Sequence, residues 1–132
     1  MMKAYERLWK YVQFDTQSEP EATEYPSTPG QIDFMKMLQG ELEDMNISSA
    51  LDKHGYLIAK IPANVSGKSP RIALIAHVDT SPDASGSNVK PHLVQHYDGK
   101  PIVINRERNM VIDPEVFPAL KHCLGHDIIT SD

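Results

Sequence analysis

Cysteine is nearly missing from this 132-residue chain: Cys123 stands alone, so no disulfide can close within it. That usage suits a reducing compartment. Basic clusters are missing too, and the net charge is −5, which leaves nucleic-acid or anionic-membrane binding without electrostatic support. The 7 glycines are scattered, so neither a phosphate-cradling loop nor a dinucleotide fingerprint can be drawn. No apolar run approaches the roughly 20 residues of a membrane span. The first residues, Met1 to Phe14, mix Lys3, Glu6, Arg7 and Lys10 with apolar side chains and lack the unbroken apolar stretch of a signal peptide. Together these gaps imply a cytoplasmic protein with no nucleic-acid and no membrane partner. There is no internal repeat and no low-complexity segment.

What is present is an ordinary globular composition, 40% hydrophobic and 23% charged, sized for one modest domain or a piece of a larger one. Tyr5, Leu8, Trp9 and Val12 share one face of an amphipathic helix over about 2–14, a stripe expected to face a core. A polar loop with Pro20 and Pro26 follows. Thr28, Pro29 and Gln31 then read as N-cap, N1 and N3 of a second helix, with Thr-x-x-Gln as a capping box. Ile32, Met35, Leu38, Leu42 and Met45 line its face, and Asn46 suits its end. Strands are expected at 48–51 and 56–61 around a turn at Gly55, and at 92–97 and 102–104 around Asp98-Gly99. Asp113-Pro114 opens a third helix running to Leu124 before Gly125, and a last strand covers 128–130.

The most informative stretch is Arg71-Ile-Ala-Leu-Ile-Ala76, a short apolar run between Pro70 and Pro82 that ends in His77-Val78-Asp79. It reads as a strand buried on both faces in the parallel part of a sheet. The fold class expected is therefore α/β, a mixed sheet with flanking helices. Ligands of such sheets bind at the carboxyl ends of the strands. Residues i and i+2 of an extended segment point the same way, so His77 and Asp79 can serve one site. A neutral imidazole is the commonest metal ligand, and its second nitrogen usually donates to a carboxylate. The plainer alternative is a strand-end histidine bonded to a turn carbonyl, with Asp79 capping the following loop. His92 and His96, and the group His122, Cys123 and His126, are weaker metal candidates. The first pair sits on strand-like sequence, and Gly125 interrupts the second group.

Several segments occur together in the order and approximate spacing of one family. They are Phe14-Asp15-Thr16-Gln17-Ser18, Pro26-Ser27-Thr28-Pro29-Gly30-Gln31, Ile61-Pro62-Ala63-Asn64-Val65 and His77-Val78-Asp79-Thr80-Ser81-Pro82-Asp83. Asn88-Val89-Lys90-Pro91, Phe117-Pro118 and Ile128-Ile129-Thr130-Ser131-Asp132 extend the set. Over essentially its whole length the chain resembles the peptidase T group of the M20 di-zinc metallopeptidases, which release the N-terminal residue of tripeptides. The resemblance implies that His77 binds one zinc of a pair and that Asp79, the catalytic-site aspartate, holds its imidazole. It implies Zn2+ as cofactor, small peptides as substrate and a homodimer for a full-length parent. Family members are longer. Their bridging aspartate, paired glutamates, further aspartate, distal histidine and dimerisation domain would lie beyond residue 132, and Asp132 is not the bridging aspartate. On this resemblance, residues 1–132 are the incomplete N-terminal portion of a catalytic domain, inactive alone. Two alternatives stand beside it: a non-catalytic remnant that binds a peptide or partner, and another M20 hydrolase such as a dipeptidase or aminoacylase.

Overall fold

A computed structural model describes residues 2–132. The chain divides into two compact units, one formed by Phe14–Gly86 and the other by the first residues to Gln13 with Ser87–Asp132.

In the Phe14–Gly86 unit, helix α2 (Pro29–Asp44) carries the antiparallel hairpin β1 (Ser49–Leu51) and β2 (Leu57–Ala59). Pro29 stands in the first turn, where its missing N–H costs no helical bond. Asn46, at φ 58°, takes the left-handed conformation that ends the helix. Gly55, at φ 84°, turns the hairpin, as its lack of a Cβ allows. A Cβ there would also lie 2.5 Å from Pro26 Cγ, so the hairpin tip and the 14–28 strap meet closely. The small core is marked by Phe34, 8% exposed, whose ring centroid lies 5.2 Å from that of Phe14.

The second unit holds helix α1 (Ala4–Tyr11) and two further ribbons. β3 (His92–Val94) pairs with β6 (Ile128–Thr130), and β4 (Ile102–Asn105) pairs with β5 (Met110–Ile112), both antiparallel. Tyr97 and Ile102 form its buried centre. Gln13 Nε2 donates to Val89 O at 3.3 Å, tying the end of the first segment, beyond α1, to the start of the second. Among the described residues, no helix is long and apolar enough to cross a membrane.

Helices and strands occur together as expected, but not as one mixed sheet: the strands form three separate two-stranded antiparallel sheets. The largest correction concerns residues 71–76. The run belongs to no sheet, and Ile72, Leu74 and Ile75 are 84%, 96% and 94% exposed. A doubly buried strand needs neighbours on both edges and cover on both faces, and residues 14–86 supply neither. The α1 stripe is also half open, with Tyr5 and Leu8 close to half exposed and no residue buried.

Two further differences are local. The expected third helix is a turn at 113–117 followed by a 3-10 helix, η1 (Pro118–Cys123). Pro118 lacks the N–H that would bond back to Pro114, and it pushes Phe117 out of the helical region, to φ −117° and ψ 77°. The strand β5 lies outside the sequence expectation. The chain leaves β4 through a turn at 106–109, with Asn109 at φ 51°, and pairs β4 with β5 rather than with β3 across Asp98-Gly99.

Candidate functional site

The end of the 71–79 segment is held by the strap that precedes α2. Thr80 N donates to Thr16 O at 3.1 Å, and Ser18 N donates to Thr80 O at 3.0 Å, making an isolated parallel bridge between Gln17 and Thr80. Ser18 Oγ adds a second donor to the same Thr80 oxygen at 3.2 Å. This bridge is the one place where the described residues pair the segment in β fashion.

The strap is in turn fastened to α2. The expected capping box does not form, and no side chain caps the helix. Thr28 Oγ1 instead donates to Gln17 O at 2.9 Å. Gln31 Nε2 reaches Gln17 O and Ser27 Oγ, each at 3.1 Å, and Thr16 O at 3.4 Å. The two residues that read as a cap spend their donors on strap oxygens that would otherwise be buried with fewer partners. Thr16 and Gln31 are 4% and 6% exposed. Gly30 is required for the same approach, because a Cβ there would run into the Asp15 carbonyl oxygen.

Just before the bridge, side chains alternate as extended backbone demands: Val78 is half-buried on one side, and His77 and Asp79 meet on the other. His77 Nδ1 lies 3.0 Å from Asp79 Oδ1 and 3.0 Å from Asp79 O. A carbonyl oxygen and a carboxylate oxygen only accept, so Nδ1 carries the proton. In the neutral ring Nε2 then holds the free lone pair. The imidazole side chain is 84% exposed and the Asp79 side chain 49%, so that lone pair is open to an incoming group. A carbonyl and a carboxylate thus share the same ring N–H.

The pair borders a cleft of about 660 Å³ in the same unit, lined also by Tyr25, Met35, His54, Tyr56 and Ile75. Sequence reasoning did not bring Tyr25 and Tyr56 to this place. Tyr25 lies in a turn-prone loop with no periodicity to report it, and Tyr56 reads only as the first residue of the strand expected at 56–61. Nor did it bring Gln31 here, since its N3 position suggested a bond within the helix.

One imidazole with an orienting carboxylate suits a single coordination position of a metal. Among the described residues, no group of three or more His, Cys, Asp or Glu side chains could hold a metal ion. The weaker candidates do not gather either. β3 ends at Val94 before His96, which lies at φ 50° with its N–H donating to Asp127 Oδ1 at 3.0 Å. Cys123 Sγ points to Ala119 O at 3.6 Å. Asp132 Oδ1 accepts from Lys90 N at 2.7 Å.

Comparison with known proteins agrees with the segments quoted above. The chain is 44% identical over 133 residues to peptidase T of Halothermothrix orenii, matching 100% of its own length and 33% of that relative. Over its whole length the chain is similar to peptidase T. A peptidase T from a Geobacillus species is 44% identical over 128 residues, and those of several Staphylococcus aureus strains are 42% identical over 127. In both cases the match covers 96% of this chain and 31% of the relative. The chain thus spans about a third of the length of the curated peptidase T relatives it matches. No family model matches it.

Proposed function

We propose that this chain contributes one arm of the metal centre of a zinc-dependent, M20-type aminopeptidase acting on tripeptides. His77 Nε2 is the metal donor, and Asp79 acts through it. The observation that carries the proposal is the 3.0 Å contact between His77 Nδ1 and Asp79 Oδ1. That contact holds the proton on Nδ1, turns the ring and raises the basicity of Nε2. Similarity to proteins named peptidase T supplies the reaction class.

Zinc, when bound, lowers the pKa of a coordinated water and polarises a peptide carbonyl. The residues of this chain do less: they present one preset lone pair at the rim of an open cleft. A catalytic zinc site uses three protein ligands, and hydrolysis also needs a general base. The described residues gather no such set. The 132-residue chain supplied with Zn2+ is therefore expected to release no N-terminal residue from a tripeptide. Measurable release would refute this reading.

A positive test follows imidazole resonances during titration with Zn2+. His77 is expected to respond, and Asp79→Ala to weaken that response by about 10-fold or more, the usual loss when the carboxylate behind a ligating histidine is removed. A response at other histidines with none at His77 would sink the assignment. A remnant that only binds peptides would show the opposite pattern, with peptide-induced shifts along the cleft and no effect of zinc on His77.

A further inference from the structure

We infer that Gln31, on α2, is the positioning residue that sets the His77–Asp79 pair, acting through the backbone of the strap. The inference rests on the pair being the working group, as proposed above, and adds what holds it in place.

The path can be followed bond by bond. A peptide unit is planar and trans, so its C=O and N–H point in opposite directions. The Asp79–Thr80 peptide has its N–H on Thr16 O at 3.1 Å and its carbonyl, Asp79 O, 3.0 Å from His77 Nδ1. The direction of the Thr80 N–H therefore sets the direction of the oxygen that His77 meets. Thr16 O is the shared acceptor: it also lies 3.4 Å from Gln31 Nε2, which reaches Gln17 O at 3.1 Å as well. Gln31 is 6% exposed, so the amide works away from competing water. His77 and Asp79 side chains are themselves open to solvent, so their mutual geometry depends on this backbone anchor. Without the Gln31 donors, Thr16 O is left with the Thr80 N–H and Gln17 O with the Thr28 hydroxyl, so the strap is held less firmly on α2. The Asp79–Thr80 plane, still joined to the strap through the Thr80 N–H, then turns as the strap shifts, and the Asp79 O contact with Nδ1 loosens.

The proton position on His77 is a readout that a purely structural role for Gln31 would not move. It can be read from the nitrogen-15 shifts of the ring in the 132-residue chain. The wild type is expected to hold His77 mainly as the Nδ1–H tautomer, with His54 as an internal control. Gln31→Glu keeps the size but turns an acceptor toward two carbonyls. It is expected to lower the ratio of Nδ1–H to Nε2–H tautomer at His77 severalfold, to speed exchange of the Thr80 amide, and to leave His54 unchanged. Gln31→Met, which removes the donors without adding charge, should act in the same direction and is read if the Glu variant does not fold. Folded variants with an unchanged His77 tautomer would overturn the positioning role. So would loss of folding in both, which would make Gln31 a support of the whole unit. A wild type without the Nδ1–H preference would instead overturn the reading of the pair itself.

Discussion

Gly30 and Gly40 lie in the same helix and have opposite surroundings. A Cβ at Gly40 meets nothing within 4 Å, whereas one at Gly30 runs into the Asp15 carbonyl. Gly40→Ala should therefore stabilise the Phe14–Gly86 unit by about 0.5–1 kcal/mol, through lower unfolded-state entropy and better helix propensity. Gly30→Ala should destabilise it by about 1–3 kcal/mol, because the strap must shift. Urea unfolding followed at residues of the β1–β2 hairpin checks both, and equal shifts for the two would show that the strap does not press on α2. At this scale the sequence is legible in part. The i, i+2 spacing of His77 and Asp79 brings them into contact because extended backbone alternates. Thr28 and Gln31 are legible as a helix start. That their side chains turn to the strap instead depends on a segment more than ten residues earlier in the chain.

Among the elements, the segment 71–76 separates composition from structure most sharply. Its apolar run has the pattern of an inner strand, yet Leu74 is 96% exposed and Ile75 94%. An exposed, apolar, unpaired stretch is a template for association with other chains. Leu74→Lys is therefore expected to change the unfolding free energy of the chain by less than about 0.5 kcal/mol. It should also raise the concentration at which the chain stays monomeric in sedimentation. A loss of several kcal/mol would show the run to be buried after all. The unexpected β5 and the shortened third helix have separate causes. Met110–Ile112 is too short for its period to stand out, and it becomes a strand through the turn at Asn109. The apolar spacing of Val116, Phe117 and Leu120 looks helical, but Pro118 within it stops the ladder.

For the molecule as a whole, pH acts on the unit formed by Ser87–Asp132 and the first residues of the chain. Burial holds the Tyr97 phenol above its ordinary range, with the Asp98, Asp113 and Cys123 charges adding to the effect. A side-chain hydrogen bond to Asp98 holds Lys100 above its usual value, and the same bond holds Asp98 below its own. For Tyr97 and Lys100 the folded pKa exceeds the unfolded one, so their contribution is whole below the unfolded value and is lost as pH rises through the folded value. For Asp98 the folded pKa is the lower, so its contribution is present above the unfolded value and is lost as pH falls through the folded one. The exposed Asp98–Lys100 pair adds little, so the buried phenol should dominate. Fluorescence of Trp9, in the same unit, should report a melting temperature that is level near neutrality and falls above about pH 10. A level curve through that range would show that Tyr97 ionises as freely folded as unfolded.

The sequence by itself determined the charge balance, the impossibility of an internal disulfide, the ends of α2, the turn at Gly55 and the meeting of His77 with Asp79. All of these depend on residue counts or on residues a few positions apart, where backbone period and side-chain chemistry suffice. Tertiary structure alone decided which strands pair, whether the apolar run at 71–76 finds cover, and that Gln31 fastens the strap bearing on the His77–Asp79 pair. These outcomes turn on which distant backbone groups come within hydrogen-bonding reach, and the local pattern of residues carries no record of that.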